Sequence, residues 1–147
     1  MVLLAAAQAH AQALPGGAEL GMTVPQLQQA VPGLKPVARP ARLAGGLAGS
    51  WSGPEIDIAG VPLMPTFFIA DAQLRRVEYV AVAGAGAWDP LLAWARSQWG
   101  PELASQSPEG SYAAWVAGDM DAYLQQTGRG QLRLVVKRQQ AKDGSQL

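Results

Sequence analysis

The spacing of apolar and polar positions changes several times along the chain, and each change marks a predicted element. Val24, Leu27 and Val31 recur at i, i+3 and i+7, which is one stripe of a short amphipathic helix. Thr23 suits the N-cap, Pro25 falls in the first turn where a missing N–H costs little, and Pro32-Gly33 stops the run. Residues 35–53 are rich in Gly, Pro and Ala and hold one weak strand, Arg42–Trp51. Pro54–Val61 alternates around Ile56 and Ile58. Pro65 opens a clearer strand, Thr66–Ala70, and Ala70–Gln73 turns it back into Leu74–Ala83. On that return strand Val77 and Tyr79 share one face, and Arg76, Glu78 and Val80 share the other.

After a Gly/Ala linker, Asp89 is read as the cap of a second helix with Pro90 at its first position. Leu91, Leu92, Trp94, Ala95 and Trp99 line its broad apolar face, and Gly100-Pro101 ends it. A polar loop, 102–110, leads to strands over Tyr112–Val116, Met120–Gln126 and Gln131–Arg138, the last two separated by a Thr127–Gly130 turn. The order is helix then strands, twice. It predicts an α+β domain in which two α-β-β(-β) units form one antiparallel sheet with the helices packed on one face. The predicted organisation is a single domain over 14–138, with a possible internal duplication (21–83 and 88–138) and a polar tail over 139–147.

Composition narrows the chemistry. The chain has 147 residues, enough for one domain with its own core and no need of disulfides. Much of its 49% hydrophobic content is alanine, so the core must come from Leu, Val, Ile, Phe and Trp. Eleven basic residues balance eleven acidic ones, which gives no general attraction to nucleic acid or to an anionic membrane. The absence of cysteine removes thiolate catalysis and sulfur metal sites together. The single histidine, His10, lies in an N-terminal stretch that reads as the end of a secretory signal. There, apolar Val2–Ala7 is followed by two small-x-small sites, Ala9-His10-Ala11 and Ala11-Gln12-Ala13, and then by Leu14-Pro15-Gly16-Gly17. Residues 1–13 are therefore expected to be a signal remnant, and the protein is expected to be periplasmic or secreted in a bacterium. The competing reading is an alanine-rich terminus of a cytoplasmic chain.

Gly21-Met22-Thr23 opens a short helix with a Pro-Gly stop about ten residues on. Phe67-Phe68-Ile69-Ala70-Asp71-Ala72-Gln73-Leu74, with Val77, forms a closing hairpin. In these features the first half resembles the BamE/SmpA-like domain and the β-lactamase-inhibitor-protein-like fold. Trp99-Gly100-Pro101-Glu102 looks like the start of a second such unit. The resemblance implies an exported, non-enzymatic domain that works by contact with another protein or with the cell envelope. The chain lacks the lipid-bearing cysteine of BamE-like lipoproteins.

Candidate chemistry is sparse. Because His10 is the only histidine and lies in the expected signal, no Ser-His-Asp arrangement and no His-based metal site is expected. Asp119 and Asp121, and again Glu55 and Asp57, are two apart and are expected on one strand face. There they would serve as an acid/base pair or bind calcium, or simply be a solvated face of a one-sided sheet. The glycine clusters (Gly45, Gly46, Gly49; Gly84, Gly86) lack a phosphate-loop context. Of five tryptophans, Trp51 is the candidate exposed aromatic; the rest read as core. Arg129, Arg133, Lys137, Arg138 and Lys142 gather near the C-terminus; Arg133 and Lys137 alternate with Leu132, Leu134 and Val136 and are expected on the outer face of the last strand, either to protect an edge or to meet an acidic partner or an anionic envelope polymer. The expected function is a non-catalytic binding module with Trp51, Arg133, Lys137 and Arg138 as binding residues. No cofactor and no metal are expected. The partner is expected to be another envelope protein or a cell-wall component. The alternative is a small carboxylate-dependent enzyme acting on envelope glycans.

Overall fold

A computed structural model describes residues 13–82, 86–105, 110–127 and 130–139. The expected signal remnant, with His10, lies outside the described residues except for Ala13, as does the polar tail beyond Gln139. Helix α1 spans Val24–Ala30. Its start is a reciprocal capping box: the Gln26 backbone N–H donates to Thr23 Oγ1 (3.4 Å), and the Thr23 N–H donates to Gln26 Oε1 (2.9 Å). Helix α2 spans Trp88–Trp99. It starts one residue before the expected Asp89 cap; Ala87 is the N-cap, and Asp89 sits in the first turn, where its charge favours the helix dipole. Among the described residues no helix is long and apolar enough to cross a membrane.

The strands are β1 (Lys35–Pro36), β2 (Arg42–Leu43), β3 (Leu47–Ser52), β4 (Ile56–Ile58), β5 (Val61–Ala70), β6 (Gln73–Ala81), β7 (Gly110–Ala117), β8 (Met120–Thr127) and β9 (Leu132–Arg138). All nine join one antiparallel sheet, in the order β1-β3-β5-β6-β9-β8-β7, with β2 on β3 and β4 on β5. This corrects the α+β expectation of two α-β-β(-β) units. The described residues are 50% strand and 19% helix, so the protein is mostly β with two short helices. The difference arises in the Pro/Gly-rich stretch, where short strands carry too few alternations to register as a pattern. Strand β5 also runs through Pro62 and Pro65, residues that by pattern alone mark boundaries. Pro65 lies between the part of β5 paired with β4 and the part paired with β3. Its missing N–H therefore removes no ladder bond, while its carbonyl accepts from the Gly53 N–H (3.1 Å).

The core lies between one sheet face and the helices. Leu63, Phe67, Val77, Tyr79, Leu134 and Val136 meet Leu27 of α1 and Leu91 and Ala95 of α2. The segment before α1 joins them through Leu14, Ala18 and Leu20. It is pinned by Tyr79, whose hydroxyl donates to the Pro15 carbonyl (2.9 Å) and whose burial pushes its pKa up.

Two features outside the core give measurable expectations. The β5–β6 hairpin turns on Asp71 and Ala72, both at positive φ (52° and 63°), a two-residue turn that favours glycine at its second position. Ala72→Gly is expected to stabilise the fold by about 1 kcal/mol, read as a higher urea midpoint at unchanged slope. An equal or lower midpoint would contradict this. Beyond α2, Arg96 Nε and Nη2 donate side-on to Glu102 Oε1 and Oε2 (2.8 and 2.6 Å). These bonds pull the Glu102 carboxyl from an ordinary 4.5 down to about 2. Because the folded value is the lower one, the pair's contribution is fully present above the unfolded value and fades as pH falls toward 2. A carboxyl NMR titration is expected to return Glu102 to the ordinary carboxylate range in Arg96→Gln; an unchanged titration curve would refute the pairing.

Candidate functional site

The face of the sheet opposite the helices carries most of the chain's organised polar chemistry. Alternation along β6 turns Arg76, Glu78 and Val80 to this face, and β9 adds Arg133, Val135 and Lys137. Register places Arg76 opposite Lys137, and Val80 opposite Arg133. On the other side of β9, Asp121 of β8 is opposite Lys137, Tyr123 opposite Val135, and Gln125 opposite Arg133. Strand β9 is therefore central, flanked by β6 and β8, and its basic residues do not protect an edge.

Glu78 organises the centre of this face. Its Oε2 accepts from Arg76 Nε (2.9 Å) and Nη2 (2.7 Å), and its Oε1 accepts from Arg133 Nη1 (3.4 Å). The same guanidinium groups donate to the Tyr123 hydroxyl, at 3.1 Å from Arg76 and 3.5 Å from Arg133. Arg133 Nε donates to Gln125 Oε1 (3.1 Å). One carboxylate thus bridges two arginines that would otherwise repel each other. The flat groups also stack: Arg76 lies over Phe68 (5.6 Å), Arg133 over Tyr123 (5.8 Å), and Tyr123 beside Tyr112 (5.9 Å between ring centres). Beneath this layer Val135 and Phe68 are buried, although both lie on the face away from the main core. Gly49 makes room for Phe68, since a Cβ there would come within 3.0 Å of the ring.

At one end of the face lies an open cleft of about 1350 Å³, walled by the Leu43–Leu47 segment and floored by β6 and β9. Arg75, Arg76, Lys137 and Arg138 line it, with Asp71, Asp119 and Asp121. The two adjacent arginines reach one cleft because of a β-bulge. Phe68 pairs with Arg76 and Ile69 with Leu74, which leaves Arg75 as the extra residue of β6. Such a bulge re-aims a side chain that strict alternation would send to the other face.

Of the residues expected to bind, Lys137 and Arg138 line the cleft and Arg133 lies in the adjoining polar layer. Trp51 is apart from them. On β3 it pairs in register with Phe67 of β5 and is half-buried against the core. Arg129 and Lys142 lie outside the described residues. The carboxylates do not form the expected same-face pairs on strands. Asp119 lies in the β7–β8 turn and pairs with Arg138 (3.7 Å), while Asp121, in β8, accepts from Gln139 Nε2 (2.9 Å). Glu55 precedes β4, and Asp57 accepts from the Gly60 N–H (2.8 Å) to close the following turn.

Sequence reasoning did not single out Arg75, Arg76, Glu78 or Tyr123 as site residues. The alternation around Val77 and Tyr79 marked Arg76 and Glu78 as outward, but nothing local marked β9 as their neighbour. Compared with protein families, with curated proteins and with solved structures, the chain matches none.

Proposed function

We propose that the chain is an exported, non-catalytic interaction module of the bacterial cell envelope whose open sheet face contacts another envelope protein or a cell-wall component. The observation that carries this reading is the Arg76–Glu78–Arg133–Tyr123 layer. Arginine and tyrosine are the side chains that anchor binding surfaces, and here hydrogen bonds and stacking on central strands hold them in place before any ligand arrives. Preorganisation of this kind lowers the entropy lost on binding. Export is supported by the small-x-small sites Ala9-His10-Ala11 and Ala11-Gln12-Ala13.

The test is site-specific photo-crosslinking of the full chain in bacterial cells. A crosslinking amino acid at Tyr112, on the open face, is expected to give a discrete adduct in the periplasmic fraction. The same group at Gln28, exposed on α1, is expected to give none. Matching adduct patterns at both positions, or an adduct at Gln28 alone, would sink the proposal.

A further inference from the structure

Resting on that reading of the open face, we infer that the cleft at its end is a site for a carboxylate-bearing peptide segment, held by the Arg75 and Arg138 guanidinium groups and the Lys137 ammonium. Four of the described arginines fall into two kinds. Arg76 brings Nε and Nη2 to one oxygen of Glu78, at 2.9 and 2.7 Å, and Arg96 engages Glu102 side-on, Nε to Oε1 and Nη2 to Oε2, at 2.8 and 2.6 Å. The side-on fork is the geometry in which a guanidinium binds a carboxylate most strongly. Arg75 and Arg138, which both line the cleft, do not reach it. The Nε of each is buried without a hydrogen-bond partner, and their carboxylate contacts, to Asp71 and Asp119, are longer, at 3.5 and 3.7 Å. Lys137 stands between them on β9 and makes no ion pair among the described residues; Asp121, its register neighbour, is taken by Gln139.

Depth separates the two signs of charge. The side chains of Asp71 and Asp119 are 82% and 75% exposed, whereas those of Arg75 and Arg138 are 35% and 32% exposed. The cations thus form the floor and two aspartates the rim. Ion pairs to such exposed carboxylates contribute at most about 1 kcal/mol and are readily displaced. Arg138 Nη2 donates to the Leu20 carbonyl (3.3 Å), which holds the guanidinium in place, and an incoming carboxylate that takes the place of Asp119 meets its unpartnered Nε edge. The same aspartates repel a continuous polyanion, so nucleic acid and an anionic membrane surface fit poorly, whereas separate carboxylates on a peptide fit between them. Leu43, Leu47 and Ala70 give the wall an apolar part that suits peptide side chains.

The probe is a blocked tetra-glutamate peptide titrated into the full chain, followed through the arginine Nε–Hε and lysine Nζ NMR signals. Saturable shifts are expected at Arg75, Arg138 and Lys137, weakening as salt brings the Debye length to about 8 Å. Lys137→Gln should weaken binding about tenfold, the loss of one charge-assisted contact. Asp119→Asn should tighten it by removing the competing rim carboxylate. Both side chains are partly or fully exposed, so the fold is expected to persist and an unchanged amide spectrum checks it. The inference is overturned by non-saturating shifts, by inorganic phosphate or tetra-lysine binding as tightly as tetra-glutamate, or by equal affinities in all three proteins. If Tyr112 crosslinks form while tetra-glutamate leaves the cleft signals unmoved, the contact surface stands and the ligand class falls.

Discussion

Trp115→Ala is expected to lower the unfolding free energy by about 4 kcal/mol, a large fraction of the stability of a domain this size. Trp115 lies on β7 with its side chain almost wholly buried. Its ring stacks at a tilt on Trp99 (5.7 Å), which in turn meets Trp94 edge-on (5.4 Å). Its Nε1–H donates to the carbonyl of Gly100 (2.8 Å), the residue that ends α2. Gly100 holds φ 85°, and its own N–H closes on the Arg96 carbonyl (2.8 Å). One side chain thus fills the space between α2 and the edge of the sheet and satisfies a helix-end carbonyl that has no partner within the helix. Truncation costs the transfer energy of the ring, leaves a cavity and frees that carbonyl. Trp115→Phe keeps most of the volume and is expected to cost about 2 kcal/mol, part of it the lost hydrogen bond. Urea denaturation of both variants checks the ranking; an alanine variant within about 1 kcal/mol of the parent would refute this account of how α2 is held.

Glu78→Gln is expected to cost about 2 kcal/mol and to disorder the open face. The side chains of Glu78 and Arg76 are 15% and 11% exposed, so removing the carboxylate charge leaves two arginines close together with little water to screen them. Losing one partner of a fully buried pair costs about 3–5 kcal/mol, and the outer position of Arg133 reduces the figure for this cluster. If Glu78 acts through both arginines, adding Arg133→Gln to Glu78→Gln should cost less than the sum of the single losses, by about 1 kcal/mol. Strict additivity would show that Glu78 and Arg133 are not coupled. A second readout reports on the layer itself: the ring signals of Tyr123 and Tyr112 should shift in Glu78→Gln, because Arg76 and Arg133 both donate to the Tyr123 hydroxyl.

Local features of the fold were legible because local physics makes them. The Thr23 cap of α1, its proline in the first turn and the stop at Pro32-Gly33 are short-range signals, and α1 forms between them. The alternation of Val77 and Tyr79 with Arg76 and Glu78 identified the two faces of β6 before any partner was known. The same held for β9, where Arg133 and Lys137 were expected on one face and lie there. Trp51 was harder to place. A tryptophan between serines in a Gly-rich stretch has no periodic pattern around it. Its setting makes it the best candidate for an exposed aromatic although core is the safer reading, and the pairing of β3 with β5 sets it beside Phe67, half-buried.

The order of strands was not legible, and the balance of the fold depended on it. The two-residue strands β1 and β2 hold their shape only by hydrogen bonds to a longer neighbour, so their own residues do not announce them, whereas the alternation of Ile56 and Ile58 did mark β4. The bulge that brings Arg75 beside Arg76 exists only as a mismatch between two paired strands.

Pattern along the chain was enough to tell which of the longer segments are helical or extended and which side of each long strand is apolar. The tertiary structure alone decided that the fold is mostly β, that β9 is central, and that the basic residues of β6 and β9 share one surface. Glu78 and Arg133 are 55 residues apart in the chain, and only the antiparallel registers of β6, β9 and β8 bring them to one another and to Tyr123. Hydrogen bonds between strands are made by backbone groups common to every residue, so side-chain identity sets which face a strand buries far more than which strand it meets.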